Sequence, residues 1–148
     1  MYHRLYYHVV WTTRDRASLI DRRVALFLCR FLRATAKEEG VRVLEVGMVR
    51  THVHLLLAAP IRADWSRVLQ RLKGASAQIA NRGAVAPGDA PLRWAKGYSI
   101  HTVSPRAVPA ARAYLQRQPE HHPDQAIPDW EGDRERELEM RGAEVRGD

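Results

Sequence analysis

The chain has a single cysteine, Cys29, among 148 residues, and only two phenylalanines. One thiol cannot close an intrachain disulfide, so a disulfide-stapled secreted scaffold is excluded and a cytoplasmic protein is expected. Long apolar runs are also missing: none approaches the roughly 18 residues needed to cross a bilayer, and no membrane partner is expected. Residues 1–10 mix charge with polar aromatics and lack the apolar centre of a secretory leader, so no leader is expected. Acidic residues are scarce over most of the chain. Residues 1–118 hold 20 Lys+Arg against 7 Asp+Glu, a balance of +13. Residues 119–148 hold 4 Arg against 10 Asp+Glu, a balance of −6. The overall +7 therefore hides a basic body and an acidic tail. Such a body suits a polyanionic partner, although charge alone is a weak guide to function.

What remains is ample for one folded unit. The composition is 45% hydrophobic and 28% charged, unlike that of a wholly disordered chain. Residues 5–13 are rich in β-formers, with Tyr6, Tyr7, Val9, Val10 and Trp11, and are too continuously apolar for an exposed edge. They are expected to form a central strand, ended by Arg14-Asp15-Arg16. The spacing of Val24, Phe27, Leu28, Phe31 and Leu32 predicts a helix over residues 21–39, with Gly40 closing it. Residues 41–49 alternate as a strand, except that the charged Glu45 breaks the pattern. After Arg50-Thr51, residues 52–59 read as another strand, closed by Pro60.

Asp64 is suited to cap a helix over residues 64–81, striped by Trp65, Val68, Leu69, Leu72 and Ala75. Gly74 inside it suggests close packing. Residues 82–92 read as a loop and residues 94–103 as a fourth strand. Ser104-Pro105 is expected to open a third helix running to about Arg117, with Pro109 obscuring its start. Residues 119–148 are expected to be loop, then a solvated short helix or disorder. The order β-α-β-β-α-β plus a terminal helix is the α+β, ferredoxin-like split βαβ pattern. It implies an antiparallel sheet with helices on one face, and a third helix that crosses the other.

His52 and His54 stand at i and i+2 on a strand, so their imidazoles share a face and can hold one metal ion. A lone pair of this kind is common by chance, and an incidental pair is the bland alternative. Tyr114 and Gln118 are four apart on a predicted helix and share a face. A tyrosine hydroxyl can attack a phosphodiester, and an amide oxygen can complete a metal site. A packed tyrosine beside a solvent-facing glutamine is the bland alternative. The combination is more telling, because a two-histidine site leaves open positions for a phosphate oxygen and offsets the weakness of a neutral phenol. His8 lies near such a metal only if the first strand neighbours residues 52–54.

At this point the sequence resembles the IS200/IS605-type single-tyrosine (Y1) transposases of the HUH endonuclease class. The resemblance opens with Tyr7-His8-Val9-Val10-Trp11-Thr12-Thr13 and continues through His52-Val53-His54-Leu55-Leu56. It proceeds through Leu72-Lys73-Gly74-Ala75-Ser76, Gly97-Tyr98-Ser99-Ile100 and Thr102-Val103-Ser104, and closes with Tyr114-Leu115-Gln116-Arg117-Gln118 and His121-His122. It implies a catalytic domain over residues 1–118 and leaves 119–148 as an acidic, partly flexible tail. It assigns His52, His54 and Gln118 to a metal, Mg²⁺ or Mn²⁺, and Tyr114 as nucleophile. Ligand chemistry alone would also admit Zn²⁺. The family commonly has Asp before the first histidine; here Thr51 stands there, which alters either the histidine's orientation or only a turn.

The resemblance further implies cleavage and strand transfer of single-stranded DNA beside hairpins through a 5′-phosphotyrosyl intermediate, by a homodimer. Lys73 is the first expected phosphate contact, with Arg93, Lys96 and Arg106 as weaker ones. Trp11, Trp65 and Trp94 are expected to pack rather than stack on bases. The alternative is a domesticated hairpin DNA-binding protein with little or no transposition activity. A structural ferredoxin-like homodimer and a metal phosphodiesterase are further readings.

Overall fold

A computed structural model describes residues 4–85, 90–130 and 132. The β-rich opening forms β1 (Arg4–Thr12), and the sheet is completed by β2 (Arg42–Val49), β3 (His52–Pro60) and β4 (Ser99–Val103). The order is β2-β3-β1-β4, with every pairing antiparallel. This is the sheet expected of a ferredoxin-like fold, and β1 is central as its apolar continuity requires. Both its edges are paired, so its backbone offers no edge to a second chain.

The charge at Glu45 has a structural cause. The β2–β3 register shifts there: Val43 faces Leu57, while Glu45 faces Leu56. Leu44 is the extra residue of a bulge, which turns Glu45 onto the face opposite Val43, Val46 and Met48. On that face the Glu45 carboxylate lies 3.8 Å from Arg112 Nε, and Arg112 Nη2 donates to the Leu44 carbonyl at 2.8 Å.

Helix α1 (Arg22–Glu38) starts as its sequence directs: the Val24 amide donates to Asp21 Oδ1 at 2.9 Å. It ends at Gly40, where φ is +75°. Helix α2 (Trp65–Gln70) is capped by Asp64, whose Oδ1 accepts from the Arg67 amide at 3.1 Å. Wide π-type turns follow at Arg71–Ala75 and Ala80–Ala84, with α3 (Ser76–Ile79) between them, so helical backbone passes the expected end at Asn81. Gly74 lies in the first π turn, and a Cβ there would meet nothing within 4 Å. Close packing is therefore not its role. These helices bury Val9, Trp11, Leu28, Leu32, Leu55, Leu57 and Leu72 against one sheet face.

The other face is covered by α4 (Val108–Gln116) and α5 (Gln118–His121), as the third predicted helix requires. Leu56 and Leu115 are buried there. A Cβ on Gly47 would overlap the Leu115 carbonyl oxygen and lie 2.9 Å from its carbon and 3.0 Å from its Cα. Glycine is thus what lets α4 lie directly on β2.

Three boundaries differ from expectation. The fourth strand begins at Ser99 rather than Trp94, because Gly97 turns at φ +83° and Trp94 makes only an isolated bridge to Thr13. Ser104 makes no side-chain cap: Pro105–Ala107 is a single 3-10 turn, and α4 starts at Val108. Arg117, at φ −96° and ψ 13°, interrupts the helix between Tyr114 and Gln118. Beyond α5 the chain stays docked, with Ile127 4% and Trp130 9% exposed in the main core. The solvated helix or disorder expected late in residues 119–148 falls outside the described residues, Gly132 apart.

Candidate active site

His52 and His54 are the first and third residues of β3, with Val53 between them pointing into the core. Their rings face the α4–α5 side, 5.0 Å apart by centroid. The β1–β3 register sets His8 opposite Leu56, which puts it diagonal to His54 on that same face. His8 Nε2 lies 2.8 Å from His54 Nδ1. The condition stated for His8 is therefore met: its strand is the neighbour of residues 52–54.

The helical segment supplies the rest. The Tyr114 ring lies 6.0 Å from the His54 ring and 6.1 Å from that of His8, centroid to centroid. The Tyr114 side chain is 44% exposed, although it packs against these rings. Gln118 is fully buried, with Oε1 3.3 Å from His52 Nε2 and Nε2 without a partner among the described residues. His121 packs beside Tyr114 at 4.9 Å and His122 beside His52 at 5.0 Å, again by centroid. The motif residues His52, His54, Tyr114 and Gln118 thus meet within one chain.

The electrostatics favour neutral rings. Burial, then the neighbouring His52, His8, His122 and His121, push the His54 pKa down to about 3. Burial also lowers His52, helped by His122 and Arg16 and opposed by its contact with Gln118. His8 is lowered by burial and by His101. A neutral imidazole keeps a lone pair for a cation, so this cluster of nitrogens suits metal binding rather than general acid chemistry. Among the described residues, no group of three His, Cys, Asp or Glu side chains converges as a metal cluster. The donor set on offer is two imidazole nitrogens and the Gln118 amide oxygen. The 3.3 Å gap is long for a hydrogen bond and suits two donors sharing one cation.

The expected DNA contacts are scattered. Lys73 is committed to the protein: Nζ donates to the carbonyls of Ala95 at 2.9 Å and Gly97 at 2.6 Å, and burial lowers its pKa. It straps the π turn to the segment before β4. Arg93, Lys96 and Arg106 are exposed on either side of β4. Trp11 is buried, Trp65 packs on Tyr7, and Trp94 donates to Ser76 Oγ at 3.0 Å. Cys29 is buried on α1. No helix among the described residues is long and apolar enough to cross a membrane.

Sequence reasoning missed one contact. Thr51 Oγ1 lies 3.1 Å from His52 Nδ1 and donates to Gln125 Oε1 at 2.5 Å. Gln125 carries no signal in the sequence, since it falls in a proline-rich stretch expected to be loop.

A four-stranded ferredoxin-like sheet with a His-x-His pair under a tyrosine helix defines the HUH endonuclease class. The family model described as "Transposase IS200 like" matches residues 1–118, and the chain belongs to that family, the IS200/IS605-type Y1 transposases. The curated ISDra2 transposase TnpA of Deinococcus radiodurans is 30% identical over 122 residues, spanning 78% of this chain and 85% of its own length. A crystal structure of a candidate transposase from Deinococcus radiodurans R1 superposes with a TM-score of 0.61 at 26% identity, covering 80% of this chain and 93% of that one. The structure of a REP-associated tyrosine transposase bound to a REP hairpin gives a TM-score of 0.63 at 13% identity, over 80% and 68%, and shares the fold. The chain is accordingly an enzyme of the transposase and endonuclease class, and its family implies use of a divalent metal.

Proposed function

We propose that this chain cleaves single-stranded DNA beside hairpins and rejoins it through a 5′-phosphotyrosyl link at Tyr114. The observation that carries the reading is the approach of the half-exposed Tyr114 ring to His54, at 6.0 Å between centroids, over the same face on which Gln118 meets His52. Mg²⁺ or Mn²⁺ fits the neutral His52, His54 and Gln118 donors. When bound, it would supply positive charge at a non-bridging phosphate oxygen.

Tyr114 Oη forms the new bond to phosphorus as the P–O3′ bond breaks. The phenol gives up its proton and the departing 3′ oxygen gains one. His52 and His54 act as neutral ligands, not as bases. A free 3′-OH then attacks the phosphotyrosine, and because the ester bond is exchanged rather than hydrolysed, no nucleotide cofactor is needed. Arg93, Lys96 and Arg106 are proposed to hold phosphates, and Lys73 to hold the segment between the π turn and β4. The working unit is proposed to be a homodimer, with β4 the edge strand on the Tyr98 side.

The test is cleavage of single-stranded hairpin DNA with Mg²⁺ or Mn²⁺. Wild type is expected to form a covalent protein–DNA adduct and Tyr114→Phe none. An adduct that persists in Tyr114→Phe overturns the nucleophile. Metal binding unchanged by combined His52→Ala and His54→Ala overturns the metal site. A wild type that binds hairpins yet forms no adduct would indicate a domesticated DNA-binding protein.

A further inference from the structure

We propose that Thr51 and Gln125 form a hydrogen-bonded relay that holds His52 in its Nδ1–H tautomer and so turns the Nε2 lone pair toward the cation. The inference rests on the reading of His52 as a metal ligand. Gln125 lies beyond the residues matched by the family model, and its role comes from tertiary contact alone.

A threonine hydroxyl has one proton to donate. Thr51 Oγ1 faces two polar atoms, Gln125 Oε1 at 2.5 Å and His52 Nδ1 at 3.1 Å. The shorter contact fits O–H···O, which runs about 2.5–3.0 Å, and is too short for N–H···O, about 2.7–3.2 Å. Gln125 therefore presents its oxygen, and the Thr51 proton goes there. What Thr51 has left is a lone pair. Only a protonated Nδ1 can bond to it, and a neutral ring protonated at Nδ1 has its lone pair at Nε2.

The relay is anchored at both ends. Thr51 is 5% exposed, and its carbonyl accepts from the Thr13 amide at 2.8 Å. The Gln125 carbonyl accepts from the Arg50 amide at 2.8 Å, and the Gln125 amide donates to the His122 carbonyl at 3.0 Å. A competitor sits across the ring. In the metal-free protein Gln118 Oε1, 3.3 Å from Nε2, favours a proton on that nitrogen. The relay decides against it, leaving a ligand that need shed no proton to bind. The His8–His54 contact carries no such direction, because either ring nitrogen there can donate.

The experiment uses the full-length, metal-free protein at about pH 8, above the ordinary imidazole pKa of about 6.5. Nitrogen-15 shifts of the His52 ring are assigned against His52→Gln. Wild type and Thr51→Ser are expected to carry the proton on Nδ1. Thr51→Val and Gln125→Leu are expected to move it to Nε2, and to weaken Mn²⁺ binding measured without DNA by about 10–100-fold. Gln125→Leu leaves the β2–β3 turn intact, so it reports even where Thr51→Val fails to fold. A wild type protonated at Nε2, or a tautomer unmoved by Gln125→Leu, overturns the relay. A wild type with the Nδ1–H tautomer that binds no Mn²⁺ supports the relay and overturns the ligand role, so the two failures are distinct.

Discussion

At Gln118 burial and polarity pull in opposite directions. Its side chain is fully buried, yet among the described residues its Nε2 has no partner and its Oε1 has only a 3.3 Å contact with His52. An unpaired buried donor costs about 1–3 kcal/mol, a penalty that a purely structural side chain would have no reason to retain. Gln118→Met keeps the volume and removes both polar atoms. The variant is expected to melt at or above the wild-type temperature while binding Mn²⁺ at least about tenfold more weakly, the lower end of what even an outer partner contributes. Calorimetry and a metal titration check the two halves. A clear loss of melting temperature with unchanged affinity would make Gln118 a packing residue. Sequence spacing put Gln118 on the same side as Tyr114, but its complete burial depended on how α5 lands on the sheet.

At the scale of elements, the site depends on how closely α4 lies on β2. Gly47 permits that approach, because a Cβ there would press on Leu115 backbone atoms, which no rotamer change can relieve. Leu115 itself is 1% exposed, and burying a leucine contributes about 1.5–3 kcal/mol. Gly47→Ala is expected to lift α4 and cost about 1–3 kcal/mol, the usual range for overpacking. Because Tyr114 rides on α4, adduct formation should fall more than stability does. Denaturant unfolding and the cleavage assay separate the two effects, and an unchanged adduct yield would show that α4 tolerates displacement. β1 was readable from its run of β-formers and β2 from its alternation, broken where the Leu44 bulge moved Glu45 to the other face. A bulge is settled by pairing with a partner strand, so alternation along β2 alone could only mark the irregularity.

For the whole molecule, the sequence balances +13 over residues 1–118 against −6 over residues 119–148, and the described start of the second portion lies against the first. The acidic portion begins as docked chain: Ile127 and Trp130 join the main core, and Arg22 Nε donates to the Asp129 carbonyl at 3.0 Å. Ending the chain after His122 is therefore expected to remove core contacts and Gln125 together. Losing a buried tryptophan costs about 3–5 kcal/mol, so the melting temperature should fall by several degrees or more, with Mn²⁺ affinity falling as well. Circular dichroism melts on the shortened chain check this. A melting temperature equal to that of the full chain would show that the segment only rests on the core.

By itself, the sequence determined what is local. The period of two on residues 52–54 placed two imidazoles on one face, capping residues started α1 and α2, and the order of elements led to the ferredoxin-like sheet. The roles of Tyr114 and Gln118 came through resemblance to a family, because a tyrosine on a helix has no chemistry of its own to announce. Tertiary structure alone decided what depends on register and docking. The β1–β3 register brought His8 to His54, and the return of the chain past α5 brought Gln125 to Thr51. Those pairs are 46 and 74 residues apart. No local pattern reaches that far, since such contacts are selected by the packing of the whole core rather than by the preferences of neighbouring residues.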